Sequence, residues 1–469
     1  MISTRIKETN FKPRSNNLIS ACSNARSVAK FGRRLFIVAA SGLFAPTLAI
    51  AGLCDGLVTH KKELPVPLVA KPPYRKYYRE PAFGTKVMRI TDTREHGVFK
   101  PVYSTVQAWN VDESFMVLYR SAKGDQGHFL LDGRTYEVKK RLNLYPSDLE
   151  DIFWSHTDPN ILYYSSKSAR QQGRLFKYNV LTDGKSLVKD FKSVCRGSMA
   201  VVGQDVQMQS LNDDLFGFRC LNTRSSEKRY TAFTYRISTG EVNQLKMGPG
   251  TDWDNWSAPM AGPSGDRVYL QGRVLTPDLK QVVHKLDMGK VGEHTNIGRT
   301  HNGQDAVFSV TFNKSPRGCN GDKDKGIGHL VEFNMETGKC RTIVGESDGY
   351  PYSTSATHVS AQAYKKPGWV AMSSVGYPKQ MKFFDNKKPA DVFFSEIYLV
   401  NTDPDNTVVC RIAHHRSKGK LADNGDYPAY FGEPHVTISP SGTRLLFGSD
   451  WYDSGAVDTY VVELPAYTK

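Results

Sequence analysis

Three histidines and one glutamate in the last quarter of the chain are suited to bind a metal. They are His358, His414 of the pair His414-His415, Glu433 and His435. Each stands beside a predicted turn between β-strands, from which a side chain can point to a common centre. Imidazole and carboxylate ligands together suit a divalent ion such as manganese, calcium or zinc. The pattern therefore predicts a divalent-metal site; the alternative is that these histidines only hydrogen-bond across a central channel.

Two further histidines are candidates for acid–base catalysis. His294 lies in a predicted loop with a glycine on each side, and His156 follows a tryptophan and a serine. A neutral imidazole has a reference pKa of about 6.5, which suits it to accept a proton near neutral pH. Tyr235 and Arg236 are candidate partners, because a phenol donates protons and a guanidinium stabilises negative charge. We predict a catalytic group of these four residues, although each alone is also compatible with a structural role.

Aromatic and basic residues in loops are candidates for binding a sugar. Trp253 lies in the segment Asp-Trp-Asp-Asn-Trp, and Trp451 lies between an aspartate and a tyrosine. Indole rings stack on the apolar faces of sugar rings, and an arginine such as Arg299 neutralises an acidic sugar. The sequence predicts substrate binding by these three residues; the alternative is that the tryptophans pack at the rim of the fold.

The charge of the chain points to an anionic ligand. The full sequence has a formal net charge of +15, and residues 1–51 contribute eight basic residues and one acidic residue. Without that segment the net charge is about +8. This modest and dispersed excess suits an anionic polysaccharide or oligosaccharide and is too weak to indicate nucleic acid.

The N-terminal segment is typical of an export signal. The pair Arg33-Arg34 is followed at once by apolar residues, and the apolar run Leu35–Ala51 ends in Ala49-Ile50-Ala51. Paired arginines before an apolar run, and an A-x-A ending, are typical of a cleaved twin-arginine signal peptide. We predict a periplasmic or secreted protein without a stable membrane anchor after cleavage. An ordinary secretory signal is the alternative.

The elements that would position these residues follow a repeated pattern. A turn rich in Asp, Asn, Ser and Gly precedes a short apolar or alternating strand seven times, around residues 112, 158, 213, 264, 303, 368 and 441. The spacing of 39 to 73 residues is near that of four-stranded propeller blades, with loops inserted in the later repeats. No long segment has a helical apolar period. An array of β-sandwiches is the alternative.

Strands near the two ends of this region indicate how a ring would close. Residues 87–91 and 459–464 both have strand character, and terminal strands that share one blade remove the open seam of a propeller. We therefore predict an all-β, seven-bladed β-propeller with terminal-strand closure. Residues 1–51 are predicted to be the signal peptide, 52–80 an extended lead-in, and 81–469 the propeller domain.

Seven cysteines occur, six of them after the predicted cleavage site, and no C-x-x-C motif is present. In an oxidising compartment some would pair. Cys195 with Cys220 and Cys319 with Cys340 are the nearest in sequence. Buried free thiols are the alternative.

Several segments resemble one group of enzymes. Pro81–Asp92, Gln107-Ala108-Trp109-Asn110, His294–Gly298 and the stretch Glu433-Pro434-His435 before Ser439-Pro440-Ser441-Gly442 are similar to seven-bladed polysaccharide lyases of the oligogalacturonate-lyase and ulvan-lyase type. The resemblance covers about residues 80–465. It implies β-elimination next to a uronic acid, and a manganese ion held by histidines and one glutamine. Here the match is partial, since Glu433 stands where a histidine is expected and Tyr430 where the glutamine is expected.

Together these features predict a carbon–oxygen lyase that cleaves a uronic-acid-containing anionic polysaccharide. The alternative is an exported propeller without catalytic activity that binds an anionic glycan or a protein. The propeller half of a serine peptidase is excluded, because no G-x-S-x-G motif occurs and no α/β region follows.

Overall fold

The computed structural model describes residues 52–93, 97–122, 124–168, 170–203, 205–221, 230–286, 294–311, 319, 330–350, 356–374, 389–418 and 430–468. The predicted signal peptide, including Arg33 and Arg34, lies outside the described residues. Among the described residues, no helix is both long enough and apolar enough to cross a membrane.

Most of the regular secondary structure of the described chain is β-strand, and the strands are numbered here in chain order. Three short strands come first: β1 (Leu64–Pro65), β2 (Tyr77–Arg79) and β3 (Lys86–Arg89). Sheet 1 contains β4 (Gly97–Lys100), β5 (Phe115–Ala122), β6 (Asp125–Asp132) and β7 (Val138–Arg141). Sheet 2 contains β8 (Ile152–Trp154), β9 (Ile161–Ser165), β10 (Arg174–Asn179) and β11 (Lys185–Asp190), and a short helix, α1 (Lys192–Cys195), follows it.

The next sheets repeat this order. Sheet 3 contains β12 (Met199–Val201), β13 (Leu215–Leu221), β14 (Tyr230–Arg236) and β15 (Val242–Met247). Sheet 4 contains β16 (Met260–Ala261), β17 (Val268–Leu270), β18 (Arg273–Leu275) and β19 (Val282–Lys285). Sheet 5 contains β20 (Asn296–Arg299), β21 (Asp305–Val310), β22 (Leu330–Asn334) and β23 (Cys340–Val344).

The last part of the chain contributes two sheets and two 3₁₀ turns, at Glu346–Asp348 and Tyr430–Gly432. Sheet 6 begins with β24 (Ala356–Ser360) and β25 (Trp369–Ser374). After β26 (Pro389–Ala390), which pairs with β1, it continues with β27 (Glu396–Asn401) and β28 (Val408–His414). Sheet 7 contains β29 (Thr437–Ile438), β30 (Arg444–Ser449) and β31 (Ala456–Glu463).

Strands from both ends of the described chain meet in sheet 7. Strand β31 pairs antiparallel with β30 on one side and with β3 on the other, and β3 pairs with β2. Strand β31 also pairs in parallel with β4, which joins sheets 7 and 1 into one nine-stranded sheet. The edges of β30 and β3 that face β31 are thereby both paired.

The seven repeated turns of the sequence each connect the first and second strands of one sheet. Each turn region is hydrogen-bonded to the next, and the last is bonded to the first. The bonds run from Asn110 Nδ2 to Pro159 O, His156 N to Asp213 Oδ1, Leu211 N to Pro263 O, Ser264 N to Asp305 Oδ1, Gly368 N to Arg299 O, Lys365 N to Pro440 O, and Ser441 N to Glu113 Oε1. The chain is a β-propeller, as predicted. We interpret the sheets as seven blades in a closed ring; that count remains a prediction.

The apolar core lies between neighbouring sheets. Phe191, which has no exposed surface, packs against Phe218 at 5.4 Å and against Phe233 at 4.8 Å between ring centroids. Burial of one such side chain contributes about 1.5–3 kcal/mol. Stacking therefore buries the two faces that a single four-stranded sheet would leave in water.

The segment that precedes the propeller lies along sheets 6 and 7. Val58 pairs with Arg411, and Trp451 Nε1 donates to Val69 O at 2.8 Å. A disulfide joins Cys54 to Cys410. The two pairs nearest in sequence, Cys195–Cys220 and Cys319–Cys340, are also disulfides, as one of the two sequence interpretations predicted.

The first strands of the sheets have two distinct ends. We call the end at which they begin the entry end, and the end that leads into the repeated turns the turn end. Six of the predicted site residues divide between these two ends.

Candidate functional site

A group of ionisable side chains meets at the entry end. His294 lies two residues before β20, His358 lies within β24, and His435 lies two residues before β29. Lys100 ends β4 and Glu433 follows the 3₁₀ turn Tyr430–Gly432. We call these five residues the entry-end cluster. These residues lie within or just before the first strands of sheets 1, 5, 6 and 7. The cluster therefore forms only when these sheets have assembled.

Three members converge as metal ligands would. The Glu433 Oε2 atom lies 3.4 Å from His358 Nε2 and 3.3 Å from His435 Nε2. One potential ligand atom from each of the three residues lies within 4.8 Å of the other two. The rings of His358 and His435 are nearly perpendicular, with centroids 4.4 Å apart. Two imidazoles and a carboxylate at this spacing suit a divalent cation.

His294 lies directly against this group. Its ring stacks on that of His358, with centroids 4.5 Å apart and an angle of 29° between the planes. His294 and His435 both have positive φ angles, of 63° and 41°. Residues other than glycine adopt this conformation at an energetic cost, and such strain is concentrated at functional sites. The backbone therefore holds both imidazoles in positions that a relaxed chain would not favour.

Lys100 joins the first sheet to the last segment of the cluster. Its Nζ atom contacts His435 Nδ1 at 2.8 Å and donates to the backbone oxygens of Glu433 at 3.0 Å and Tyr430 at 3.4 Å. Lys100 is fully buried, with 2% of its surface exposed. A buried lysine is rare unless its donors are satisfied. Lys100 thus fixes the segment that carries Glu433 and His435.

Burial controls the charge of the cluster. It lowers the pKa of His358 and of His435 far below the ordinary value, and the nearby Lys100 and His294 charges lower both further. Both imidazoles are therefore neutral near neutral pH, the form that binds metals. Burial also lowers the pKa of Lys100 and raises the pKa of Glu433, while the opposite charge of each partner counteracts the shift.

The residues present fit a divalent metal. Neither ring nitrogen of the fully buried His358 makes a hydrogen bond within the part of the chain that the structure describes. A buried polar atom without a partner is costly, and metal ligation is one way to satisfy it. The donor set of His358, Glu433 and His435 is more carboxylate-rich than the histidine–glutamine set that the resemblance implies.

His414, the fourth predicted metal ligand, does not join the cluster. Its Nδ1 atom lies 3.5 Å from Glu80 Oε1, and its ring packs against Phe83 at 4.8 Å. Glu80 also forms a fully buried, bidentate ion pair with Arg416, at 2.5 and 2.8 Å. Side chains alternate between the two faces of β28, and this alternation directs His414 to the ion pair of Glu80 and Arg416. The spacing of histidines along the sequence does not show this direction.

The structure does not bring His156 together with His294. His156 lies at the turn end, where its ring meets the edge of Tyr364 at 5.0 Å. Burial lowers its pKa. Arg299 lies at the same end, since it is the last residue of β20. Both residues line a small cavity that is partly open to solvent.

Tyr235 and Arg236 end β14, and both have structural contacts. Tyr235 is buried against Phe191, with ring centroids 5.4 Å apart. Arg236 Nη1 forms an ion pair with Asp214 at 2.7 Å. Strand alternation places the tyrosine in the core and the arginine on the opposite face. No contact joins either residue to the entry-end cluster within the described residues.

The two predicted sugar-binding tryptophans also pack against other side chains of the protein. The Trp253 ring is covered by the Arg273 guanidinium, 4.3 Å from its centroid. Trp451 is only 3% exposed and stacks on Tyr460 at 4.8 Å. The burial of Trp451 contradicts the prediction that it stacks on a sugar, because no ring face is left for one.

Sequence reasoning assigned no catalytic or metal-binding role to three residues of the site. Lys100 lies in a strand whose sequence shows no sign of a functional residue. The rings of Tyr103 and Tyr430 pack against the ring of His435, with centroid distances of 4.9 and 4.8 Å, respectively. Tyr430 is 39% exposed and so can reach a ligand. Its position in the motif of the resembling lyases, where a glutamine is expected, was the one available indication.

Comparison with known proteins supports the fold. No protein-family model and no curated protein matches the sequence. Among solved structures, the chain is similar to an oligogalacturonate lyase in complex with manganese, with a TM-score of 0.54, 15% identity, and coverage of 87% of this chain and 99% of that one. It is also similar to an oligogalacturonate lyase from Vibrio parahaemolyticus, with a TM-score of 0.54, 14% identity, and coverage of 83% and 96%. The resemblance that the sequence suggested thus holds at the level of fold: this chain shares the β-propeller fold of the oligogalacturonate lyases.

Proposed function

We propose that the chain is a polysaccharide lyase that cleaves a uronic-acid-containing polymer at the entry-end cluster. The observation that carries the proposal is the meeting of His294, His358, Glu433, His435 and Lys100, drawn from several sheets. Two neutral imidazoles, a carboxylate and a cation in a largely dry site are costly to assemble for stability alone. The net positive charge outside residues 1–51 suits an anionic polymer.

β-Elimination needs three groups. A base removes the C5 proton of the uronate, the bond from C4 to the bridging oxygen breaks as a C4–C5 double bond forms, and an acid protonates the departing oxygen. The carboxylate must also be neutralised, because negative charge develops on it as the proton leaves.

His294 is the base in this proposal. Its ring stacks on His358, and its strained backbone holds it at the start of β20. Tyr430 is the acid, because it is exposed and its ring lies 4.8 Å from that of His435. Tyr430 replaces Tyr235 in that role, since Tyr235 is buried elsewhere.

We further propose that His358, Glu433 and His435 hold one divalent ion, manganese being the first candidate. When bound, the ion would neutralise the uronate carboxylate. Lys100 positions Glu433 and His435 through its contacts with the Tyr430–His435 segment. One structural neighbour, an oligogalacturonate lyase, is in complex with manganese, which makes this ion the first to try here.

The setting of this activity is also a proposal. Residues 1–51 act as a twin-arginine-type signal, residues 52–80 as a lead-in and residues 81–469 as the catalytic propeller. The mature protein works in the periplasm or outside the cell on an anionic polysaccharide or oligosaccharide. Three disulfides suit an oxidising compartment.

The test is to measure the ultraviolet absorbance of the unsaturated product. Purified protein without residues 1–51 is supplied with manganese and incubated with oligogalacturonate, ulvan and glucuronan. We expect one of these polymers to yield absorbing ends, and the His294→Ala variant to lose that yield. His284→Ala is the matched control, because His284 lies on the outer strand β19 and contacts Glu336 O.

Absence of product on every uronate polymer would contradict the proposal. In that case, binding of the same polymers by the unaltered protein would favour the alternative of a propeller that binds glycans without cleaving them.

A further inference from the structure

Three strongly exposed apolar side chains lie at the outer edges of sheets 1 and 2. Tyr145, Leu181 and Leu187 are 56%, 57% and 53% exposed, and among the large apolar side chains of the described residues only Leu68, at 60%, is more exposed. Tyr145 follows β7, Leu181 lies in the turn between β10 and β11, and Leu187 lies in β11. Single exposed apolar residues are normal on a protein surface, but a group of three in one region indicates a binding surface.

Contacts between the two sheets bring these side chains onto one surface. Lys140 of β7 pairs with Asp183 of the β10–β11 turn, at 2.8 Å between Nζ and Oδ1. The Nζ atom of Lys185, the first residue of β11, lies 5.9 Å from the centroid of the Tyr145 ring. Lys185 and Leu187 are two residues apart in a regular stretch of β11, so their side chains share one face of the strand. That face is the one turned toward Tyr145.

Lysines border the apolar side chains. Lys167 is exposed, and its backbone nitrogen donates to Tyr145 O at 3.3 Å. Lys185 is also exposed, and neither lysine has a carboxylate in direct contact within the part of the chain that the structure describes. Asp183 is held by Lys140, and Lys185 attracts it from a longer distance. Three lysines beside one aspartate leave the surface positively charged, so an anionic partner suits it.

We call this surface the outer-edge patch, and its members are Lys140, Tyr145, Lys167, Leu181, Lys185 and Leu187. Its apolar side chains project from the protein, because more than half of each is exposed. Peptides are usually bound in grooves that enclose their side chains, or along a sheet edge. Projecting leucine and tyrosine side chains with lysines around them instead suit the boundary between the headgroups and the acyl chains of a bilayer, where lysines bind anionic headgroups.

The lysines alone have another explanation. Strands β7 and β11 are edge strands of their sheets, and lysines on an edge discourage pairing with another chain. Exposed leucines have the opposite effect, so protection of the edge does not explain Leu181 and Leu187. An anionic bilayer accounts for the lysines and the leucines together.

We propose that the outer-edge patch docks the protein reversibly on an anionic lipid bilayer, with Leu181 and Leu187 inserted among the headgroups and Lys167 and Lys185 against the lipid phosphates. A protein that is exported across a membrane, as proposed above, meets such a surface. The docking goes beyond the proposed lyase activity, does not require it, and uses no residue of the entry-end cluster.

Sedimentation with lipid vesicles tests this surface. Purified protein without residues 1–51 is mixed with vesicles of phosphatidylcholine alone, or of equal parts of phosphatidylcholine and phosphatidylglycerol. We expect binding to the anionic vesicles to be at least about 10-fold stronger, and to weaken at high salt. The joint replacement Leu181→Ser and Leu187→Ser should weaken that binding by about 10-fold, as should Lys167→Gln with Lys185→Gln. Both variants should keep the melting temperature of the parent, because the replaced side chains are exposed.

The edge strand β19 of sheet 4 offers matched controls. Val282→Ser with Val283→Ser makes the same kind of apolar change at side chains that are 38% and 41% exposed. Lys280→Gln with Lys285→Gln removes the same charge from two exposed lysines of that region. Both controls should bind anionic vesicles as the parent does, which separates the patch from the overall charge of the chain.

Equal binding to the two kinds of vesicle, binding to neither, or unchanged binding by the double leucine variant would overturn the proposal. So would a concentration-dependent dimer, measured by light scattering without lipid, that the double leucine variant abolishes, because the patch would then bind a second copy of the chain. His294→Ala should lose polymer cleavage and keep vesicle binding, so failure of the lyase proposal and failure of the docking proposal are distinguishable.

Discussion

Replacement of Glu80 by glutamine tests the buried ion pair that holds His414 away from the metal ligands. Glu80 and Arg416 have no exposed side-chain surface and make two parallel hydrogen bonds of 2.5 and 2.8 Å. Burial alone would raise the pKa of Glu80, but hydrogen bonds from His414 and Arg416 outweigh it and lower the value from 4.5 to about 2.

The expected loss of folding free energy follows from the pKa of Glu80. The difference between 4.5 and about 2, at about 1.4 kcal/mol per pH unit, corresponds to about 3 kcal/mol of folding free energy. Because the folded pKa is the lower one, this stabilisation is complete above pH 4.5 and is lost as the pH falls toward 2. Glu80→Gln also leaves Arg416 buried without its partner, and breaking such a pair costs about 3–5 kcal/mol.

Denaturant unfolding followed by circular dichroism measures the effect. We expect Glu80→Gln to be less stable than the parent by about 3–5 kcal/mol near neutral pH, and the difference to shrink near pH 2. Glu137→Gln is the matched control, because Glu137 pairs with Arg75 on the surface, where a pair contributes about 0–1 kcal/mol. A loss below about 1 kcal/mol in Glu80→Gln near neutral pH would refute the reasoning.

Three other predictions concern export, metal and catalysis. Joint replacement of Arg33 and Arg34 by lysine should block export. Unimpaired export in a cell-fractionation assay would exclude the twin-arginine route and favour the general secretory route. Elemental analysis should find about one divalent ion per chain. That ion should be lost in His358→Ala and kept in His414→Ala. Full activity of metal-free protein would contradict the proposed metal site. His294→Ala should lower kcat by about 10²–10⁴-fold without a change in circular dichroism, and near-parental turnover would remove His294 from its role.

The repeated turns could be predicted because their chemistry is local. A turn such as Ser439-Pro440-Ser441-Gly442 is specified by residues that are adjacent in sequence, and Gly442 has the positive φ of 77° that such turns require. The same holds for Cys195–Cys220, whose members are 25 residues apart. His294, His358, Glu433 and His435 could be selected because imidazole and carboxylate groups beside predicted turns are suited to bind metals or transfer protons.

The partners of those residues could not be predicted, because they depend on which strands become neighbours around the ring. Lys100 and His435 are 335 positions apart, and Glu80 and Arg416 are 336 apart. The cysteines of the Cys54–Cys410 disulfide are separated by 356. Such contacts appear only after the terminal strands meet, so Lys100 gave no indication of its role and His414 gave a misleading one.

The position of β31 between β30 and β3 has a consequence for synthesis of the chain. Strand β3 is made well before its partner β31, because more than 360 residues lie between the two strands. Until then β3 and β30 each present a free edge that can pair with another chain. We therefore expect truncations that remove residues 456–469 to aggregate, and we expect any cellular factor that shields nascent strands to act until β31 has been made.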